Sequence, residues 1–198
     1  MTDAAAAHAA TTVDLGTGDG RFVLAHAAAH SDRLVVGIDA HHAAMVDASR
    51  RVARPVARGG LPNARFVISS LEALPGSFDG IADLVTIHFP WGSLRAAAAG
   101  HEPALTARLA RLVRPAGRLD LLFADAERDG GRPIDLDAVR AGYELLGLHP
   151  VETRPASLAD AVAAHSSWGK RLLSNRGAGR RAWVLRLEQA SAEEGGRG

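Results

Sequence analysis

The chain has 198 residues, of which 47% are hydrophobic and 23% charged, and its formal net charge is +1. This length and apolar fraction predict a single globular domain with one core. The near-neutral charge excludes a histone-like basic protein, so any nucleic-acid surface must be local. The absence of cysteine excludes disulfides, thiolate metal sites and cysteine nucleophiles, and it favours the cytoplasm. Apolar runs are short and the N-terminus lacks a signal-peptide pattern, so we expect neither a membrane span nor export.

β-Branched runs alternate with alanine-rich helical stretches along most of the chain. The predicted strands are 11–15, 34–39, 65–68, 84–89 and 119–123, and the predicted helices are 20–30, 43–54, 102–112 and 136–146. Such alternation predicts a parallel sheet. Short strands at 150–153 and 182–187, with only a helical turn at 158–164 between them, predict an antiparallel pair at the sheet edge. We therefore expect one α/β domain over 11–188, with disordered segments at 1–10 and 189–198.

The strongest local motif follows the first predicted strand, where Gly16, Gly18 and Gly20 occupy alternate positions. Glycines allow a ligand to approach the backbone, and ligands of open α/β sheets bind at the carboxyl ends of strands. Asp39 ends the second strand, where a carboxylate can bind both hydroxyls of a ribose. This glycine spacing, preceded by Asp14, favours S-adenosylmethionine over a dinucleotide.

Two acids near this motif have two interpretations each. Asp14 either caps the backbone of the glycine loop or binds the methionine ammonium group of the cofactor. Glu72 follows the third strand and is either a solvated loop acid or a neighbour of the cofactor's adenine. The sequence alone leaves both choices open.

Two tryptophans are expected at the same end of the sheet. Trp91 follows the fourth strand, and Trp168 lies in the link between the last two strands. A single tryptophan at such a position is most simply a lid on the core. Two of them facing one cofactor predict a pair that holds an extruded nucleobase by stacking.

No metal site is expected. The nine histidines contain no H-E-x-x-H motif. His26 and His30 are the only helical pair at a spacing of four, and we do not interpret this pair as a metal site.

Five segments jointly resemble the aminoglycoside-resistance methyltransferases of the Kam and Npm type, which modify N1 of adenine 1408 in 16S ribosomal RNA. They are Asp14 to Arg21, Gly59 to Asn63, Glu72 to Pro75, Phe89 to Leu94 and Ser166 to Trp168. The resemblance extends from Val13 to about Arg176. It implies a class I, Rossmann-like fold with seven strands, mostly parallel, and an antiparallel last strand. It also implies methyl transfer from S-adenosylmethionine, which leaves S-adenosylhomocysteine.

The resemblance further implies roles for individual residues. The implied cofactor contacts are Asp14, Gly16, Gly18, Asp39, Leu71, Glu72, Ser93 and Ser166. The implied catalytic residues are Trp91 and Trp168, which hold the flipped adenine, and Pro90, whose carbonyl accepts from its exocyclic amine. The implied RNA contacts are Arg50, Arg51, Arg54, Arg58, Lys170, Arg171 and Arg176, and the implied partner is the small ribosomal subunit. We expect a monomer.

Three features depart from the family pattern. Ala178 stands where an arginine is expected, the segment before the first strand is short, and the link at 124–133 is short. All three regions belong to RNA docking in the family. Two alternative functions therefore stay open: methylation of a small molecule, and RNA or ribosome binding with weak turnover.

Overall fold

The computed structural model describes residues 2–125, 134–174 and 181–191. The strands are β1 (Ala10–Leu15), β2 (Arg33–Asp39), β3 (Ala64–Ile68), β4 (Ala82–His88), β5 (Val113–Ala124), β6 (Leu148–Pro155) and β7 (Ala182–Gln189). The helices are α1 (Thr2–Ala6), α2 (Arg21–Ala29), α3 (His42–Val52), α4 (Gly92–Ala98), α5 (Pro103–Ala110), α6 (Leu136–Glu144), α7 (Leu158–Ala163) and α8 (Ser167–Leu173). Short 3₁₀ turns lie at Val56–Arg58 and Gly76–Phe78.

All seven strands form one sheet in the order β3-β2-β1-β4-β5-β7-β6. The first five strands are parallel, and β7 runs antiparallel to both β5 and β6. Central strands such as β2 are buried along most of their length because helices cover both faces of the sheet. The predicted parallel sheet with an antiparallel last strand is confirmed.

The helices divide between the two faces. Val23 and Ala27 of α2 pack with Val35 and Ala64 on one face of the sheet. Helices α4, α5 and α6 contribute to the main core on the other face. Helix α7 lies on the α2 side, since residues of both helices line the same groove over β4 and β5. No helix in the described ranges is both long and apolar enough to cross a membrane.

The ends of the chain differ from the sequence prediction. In the segment 1–10, predicted to be disordered, α1 forms and its residues Ala4 and Ala5 pack against the core. Strand β7 continues to Gln189, within the predicted tail, whereas 192–198 lie outside the described residues. Arg176, Ala178 and most of the 124–133 link also lie outside them.

The segment Gly59 to Asn63 has a structural explanation. A Cβ at Gly60 would lie 1.7 Å from the carbonyl oxygen of Arg54, so only glycine fits this turn. Asn63 Nδ2 lies 3.0 Å from the carbonyl oxygens of Ala27, His30 and Arg33. The buried amide thus satisfies the end of α2 and fastens it to the start of β2.

Candidate active site

A cavity of about 560 Å³ opens at the carboxyl ends of β1, β2, β3 and β4. Its walls are the glycine loop after β1, the segments after the next three strands, and the N-terminal part of α8. The eight predicted cofactor contacts, the three predicted base contacts and Arg171 all line this cavity. Residues from five separate segments, those after β1, β2, β3 and β4 and that of α8, therefore converge on one cavity.

The glycine loop is held by backbone and side-chain acceptors at the end of β2. The amides of Gly16 and Thr17 donate to the Ile38 carbonyl at 2.8 and 3.1 Å, and the Gly18 amide donates to Asp39 Oδ2 at 2.9 Å. Gly16 has a φ of 69°, and a Cβ there would lie 2.9 Å from the Leu94 side chain. Glycine is therefore required both by the turn and by the close approach of α4.

Asp14 is turned towards the strands rather than capping the loop. Its Oδ1 accepts a hydrogen bond of 2.7 Å from Thr86 Oγ1 and lies 3.5 Å from His88 Nδ1. The loop amides of Gly16, Thr17 and Gly18 have other acceptors, so these contacts favour the ligand-binding interpretation of Asp14. A carboxylate only 2% exposed on the wall of a cavity favours a cationic ligand group.

Asp39 is fixed by two backbone donors. Its Oδ1 accepts from the His41 amide at 2.8 Å and its Oδ2 from the Gly18 amide at 2.9 Å. Each carboxylate oxygen can accept a second hydrogen bond. The carboxylate is thus oriented at the cavity wall with capacity for two hydroxyl donors.

The Glu72 side chain is hydrogen-bonded to the side chain of Ser93, another predicted cofactor contact. A hydrogen bond from the Ser93 side chain is the main cause that holds the pKa of Glu72 below its ordinary range, with bonds from its own backbone and from Ser70 adding to the effect. Leu71 beside it is buried and supplies an apolar wall. Thr17 Oγ1, also at the wall, is buried and has no hydrogen-bond partner among the described residues.

These groups fit S-adenosylmethionine. Asp14 matches the ammonium group, Asp39 matches the ribose hydroxyls, and Leu71 with Glu72 matches an adenine ring and its amine. The unsatisfied Thr17 hydroxyl is a further sign that a polar ligand completes this wall.

The two tryptophans are neighbours but leave no space for a base between them. Their ring centroids lie 5.6 Å apart at an interplanar angle of 71°, so the rings meet edge to face. A stacked base needs parallel walls about 7 Å apart, twice the contact distance of carbon atoms. The predicted pair is present at the mouth of the cavity, but the open sandwich inferred from the sequence is not.

The basic residues separate into two places. Arg171 lines the mouth and Lys170 is exposed beside it. Helix α3 starts three residues after Asp39, and Arg50 and Arg51 in its last turn lie roughly 12–14 Å along the helix axis from its first residue. Arg50, Arg51, Arg54 and Arg58 are not among the residues that line the cavity. Arg50 and Arg51 lie in α3, Arg54 follows that helix, and Arg58 lies in the 3₁₀ turn after it.

Sequence reasoning missed three contacts at this site. Thr86 and His88 on β4 both contact Asp14. The strand register could have indicated the Thr86 contact, because Asp14 and Thr86 are direct partners across β1 and β4. Arg21 on α2 pairs with Asp19 and donates from Nη1 to Ser167 Oγ at 2.9 Å, which links the glycine loop to α8. That link between distant segments left no sign in the sequence.

The histidines show no metal-binding arrangement in the part of the chain that is described. No group of three or more histidine or acidic side chains there is placed to hold a metal ion. His26 lies 3.3 Å from Thr12 Oγ1, and burial, with the neighbouring His30 as the next cause, lowers the pKa of His26 to about 4. His26 is therefore neutral at physiological pH.

A sequence profile of the NpmA family, described as 16S rRNA (adenine(1408)-N(1))-methyltransferase, matches residues 1–188. The chain belongs to the NpmA family. The 16S rRNA (adenine(1408)-N(1))-methyltransferase of Streptoalloteichus hindustanus is 32% identical over 176 residues, covering 83% of this chain and 80% of that protein. These matches confirm the family that the motifs predicted.

Solved structures agree with the NpmA assignment. The 16S rRNA methyltransferase KamB superposes with a TM-score of 0.84 at 26% identity, over 96% of this chain and 92% of KamB. A tryptophan-to-alanine mutant of the 16S rRNA (adenine(1408)-N(1))-methyltransferase from Catenulisporales acidiphilia was solved with its cosubstrate SAM. It superposes with a TM-score of 0.80 at 28% identity, over 96% of this chain and 90% of its own. The class I methyltransferase fold and S-adenosylmethionine as cosubstrate are thereby confirmed.

Proposed function

We propose that this NpmA-family enzyme transfers a methyl group from S-adenosylmethionine to N1 of adenine 1408 in 16S rRNA, and that this modification gives aminoglycoside resistance. The observation that carries the proposal is the convergence of two kinds of group in one cavity. Asp39 and the buried Asp14 line it together with Trp168 and the largely exposed Trp91. A cofactor site that opens onto two indole rings suits a nucleobase acceptor.

The cofactor supplies an electrophilic methyl group on a sulfonium. Asp14, held by Thr86, binds the ammonium group, and Asp39 binds both ribose hydroxyls. Leu71, Glu72 and Ser93 surround the adenine, and the glycine backbone allows close approach of the methionine part. The enzyme thus fixes the cofactor at both ends, which sets the position of the methyl carbon between them.

The target needs no deprotonation before it reacts. The N1 lone pair forms the new N–C bond while the S–C bond breaks, its electron pair returns to sulfur, and the positive charge passes to the base. The enzyme therefore acts by orienting the adenine. Trp91 and Trp168 hold the adenine ring, and the Pro90 carbonyl accepts a hydrogen bond from its exocyclic amine. This explains why chemistry at N1 can proceed without a general base.

The expected substrate is the assembled small subunit. Exposed basic residues lie in the last turns of two separate helices, α3 and α8. Such a spread suits phosphate contacts along a folded RNA surface. We further propose a monomeric, metal-independent enzyme that acts on ribosomes in the cytoplasm.

Labelled S-adenosylmethionine tests the substrate directly. We expect label to enter purified small subunits, and to enter free 16S RNA more slowly because the folded docking surface is missing. Labelling of a small molecule with no label in either RNA sample would favour the small-molecule alternative. Cofactor binding by calorimetry with no transfer to any of these acceptors would favour a binding protein.

A further inference from the structure

Phe89, the residue after β4, has a strained and tightly held backbone. Its φ is 52°, a left-handed conformation that side-chain-bearing residues rarely adopt. Its amide donates to the Leu122 carbonyl at 2.6 Å, and its side chain is only 6% exposed. The surroundings therefore fix the ring of Phe89 in one place.

That ring contacts two successive residues of α8. Its edge meets the Trp168 ring with centroids 5.1 Å apart at 65°. A Cβ at Gly169 would lie 2.1 Å from Phe89 Cε2 and 2.6 Å from Cζ, so only glycine allows the helix to come this close. The Gly169 amide is itself bonded to Ser166 Oγ at 3.0 Å, which places the contact in the first turn of α8.

The side chain of Trp91 is packed much less tightly than that of Trp168. The Trp91 side chain is 58% exposed, and Gly92 follows it with a φ of 55° and no atom within 4 Å of an added Cβ. Room for a stacked base requires one of the two indole rings to leave the edge-to-face contact at 5.6 Å. Moving Trp168 would break the Phe89 packing, whereas moving Trp91 requires only rotation of an exposed side chain.

We propose that the two tryptophans have unequal roles: Phe89 and Gly169 are positioning residues that fix Trp168 as the immobile wall of the base site, and Trp91 is the wall that moves to admit the base. This inference rests on the proposed nucleobase substrate. It gives a function to the glycine inside α8 and to the strain at Phe89.

Tryptophan fluorescence in the free protein tests the asymmetry. In a Trp183→Phe background, adding Trp91→Phe leaves Trp168 as the only tryptophan, and adding Trp168→Phe leaves Trp91. We expect acrylamide to quench Trp91 several times more strongly than Trp168. Gly169→Ala should at least double the quenching of Trp168. Equal quenching of the two tryptophans, or no response to Gly169→Ala, would overturn the proposal.

Gly142→Ala is the matched control, because Gly142 lies in α6 with no atom within 4 Å of an added Cβ. It should change neither quenching nor methylation. Gly169→Ala should lower kcat on small subunits by roughly ten- to a hundredfold while the affinity for S-adenosylhomocysteine stays within about twofold. Phe89→Leu, which removes the ring that packs against Trp168, should lower kcat in the same direction with the affinity for S-adenosylhomocysteine again unchanged. Wild-type kcat in both variants, or an equal loss from Gly142→Ala, would contradict the positioning role.

If Gly169→Ala does not fold, Phe89→Leu alone removes the same contact from the other side and should also raise the quenching of Trp168. Unchanged quenching in that variant would overturn the proposal. The quenching measurements need no substrate, so they decide between fixed and mobile walls even if the wild-type enzyme fails to methylate subunits. That failure would overturn the proposed function instead.

Discussion

Thr86 Oγ1 donates a hydrogen bond of 2.7 Å to Asp14 Oδ1, between residues that are direct partners in the parallel register of β1 and β4. The two residues are 3% and 2% exposed. His88 Nδ1 lies 3.5 Å from the same oxygen, and each carboxylate oxygen has two acceptor sites, so Asp14 keeps capacity for a ligand donor. The pair therefore prepares the site for the cationic end of the cofactor before the cofactor arrives.

Thr86→Val should weaken S-adenosylmethionine binding by roughly tenfold, since one hydrogen bond to a charged group contributes about 1.5 kcal/mol. Asp14→Ala and Asp39→Ala should each weaken it by about tenfold or more. Calorimetric titration measures all three. Thr106→Val is the control, because this buried hydroxyl donates to the Ala97 carbonyl at 2.8 Å, away from the cavity. Wild-type affinity in the Asp14 and Asp39 variants would remove the site assignment.

The tryptophans should tolerate a smaller ring better than its loss. Trp91→Phe should keep more methylation of small subunits than Trp91→Ala, and the same order should hold at Trp168, because phenylalanine still offers a stacking face. Initial rates with subunits measure this order, and thermal midpoints of the four variants are the control. Loss of activity that follows loss of folding in every variant would show that both rings are structural.

Charge reversal should separate docking from cofactor binding. Arg171→Glu and Arg54→Glu should each weaken subunit binding and lower the slope of log K against log salt by about one per lost phosphate contact, with cofactor affinity unchanged. Arg111→Glu is the control, since Arg111 caps α5 on the opposite sheet face. Binding by the two variants that matches the control at every salt concentration would place docking on another surface.

The segment that carries α7 should be sensitive to acid. Bonds from Arg154 lower the pKa of Asp160, with further bonds from Ser157 in a capping box at the start of α7. Because its folded-state pKa is lowered, the ionised carboxylate stabilises the protein at pH values above about 4, the ordinary pKa of aspartate. This stabilisation is lost as the pH falls through the folded-state pKa. Asp160→Asn should therefore cost about 1 kcal/mol near pH 7 and progressively less below pH ~4.

Urea unfolding at pH 7, 5 and 3 measures that difference. Ser157→Ala removes only the cap hydroxyl, so its cost should change less with pH than that of Asp160→Asn. A difference between wild type and Asp160→Asn that is constant from pH 7 to pH 3 would contradict the ion-pair explanation.

Locally encoded features were predictable from the sequence. β-Branched runs located the strands, and the glycines at 16 and 18, both with positive φ, located the ligand loop. Carboxyl ends of parallel strands share an edge, so Asp14, Asp39, Glu72 and Trp91 were expected together, and they line one cavity.

Features that depend on contacts between distant segments were not predictable. The sequence predicts only a link where α8 forms, because Gly169 weakens the helix pattern and its fit against Phe89 is visible only in three dimensions. The cap at Ser166, which accepts from the Gly169 amide, was the available signal. Whether the arginines at the end of α3 reach the cavity depends on the direction of that helix, which no residue pattern encodes.

Reverse transcription of 16S rRNA from treated small subunits tests the central claim most directly, because a methyl group on adenine N1 blocks base pairing. After incubation with S-adenosylmethionine we predict one new stop at adenine 1408, absent without the cofactor and strongly reduced with Asp14→Ala or Trp168→Ala enzyme. A stop at another nucleotide, or full-length extension despite bound cofactor, would contradict the account.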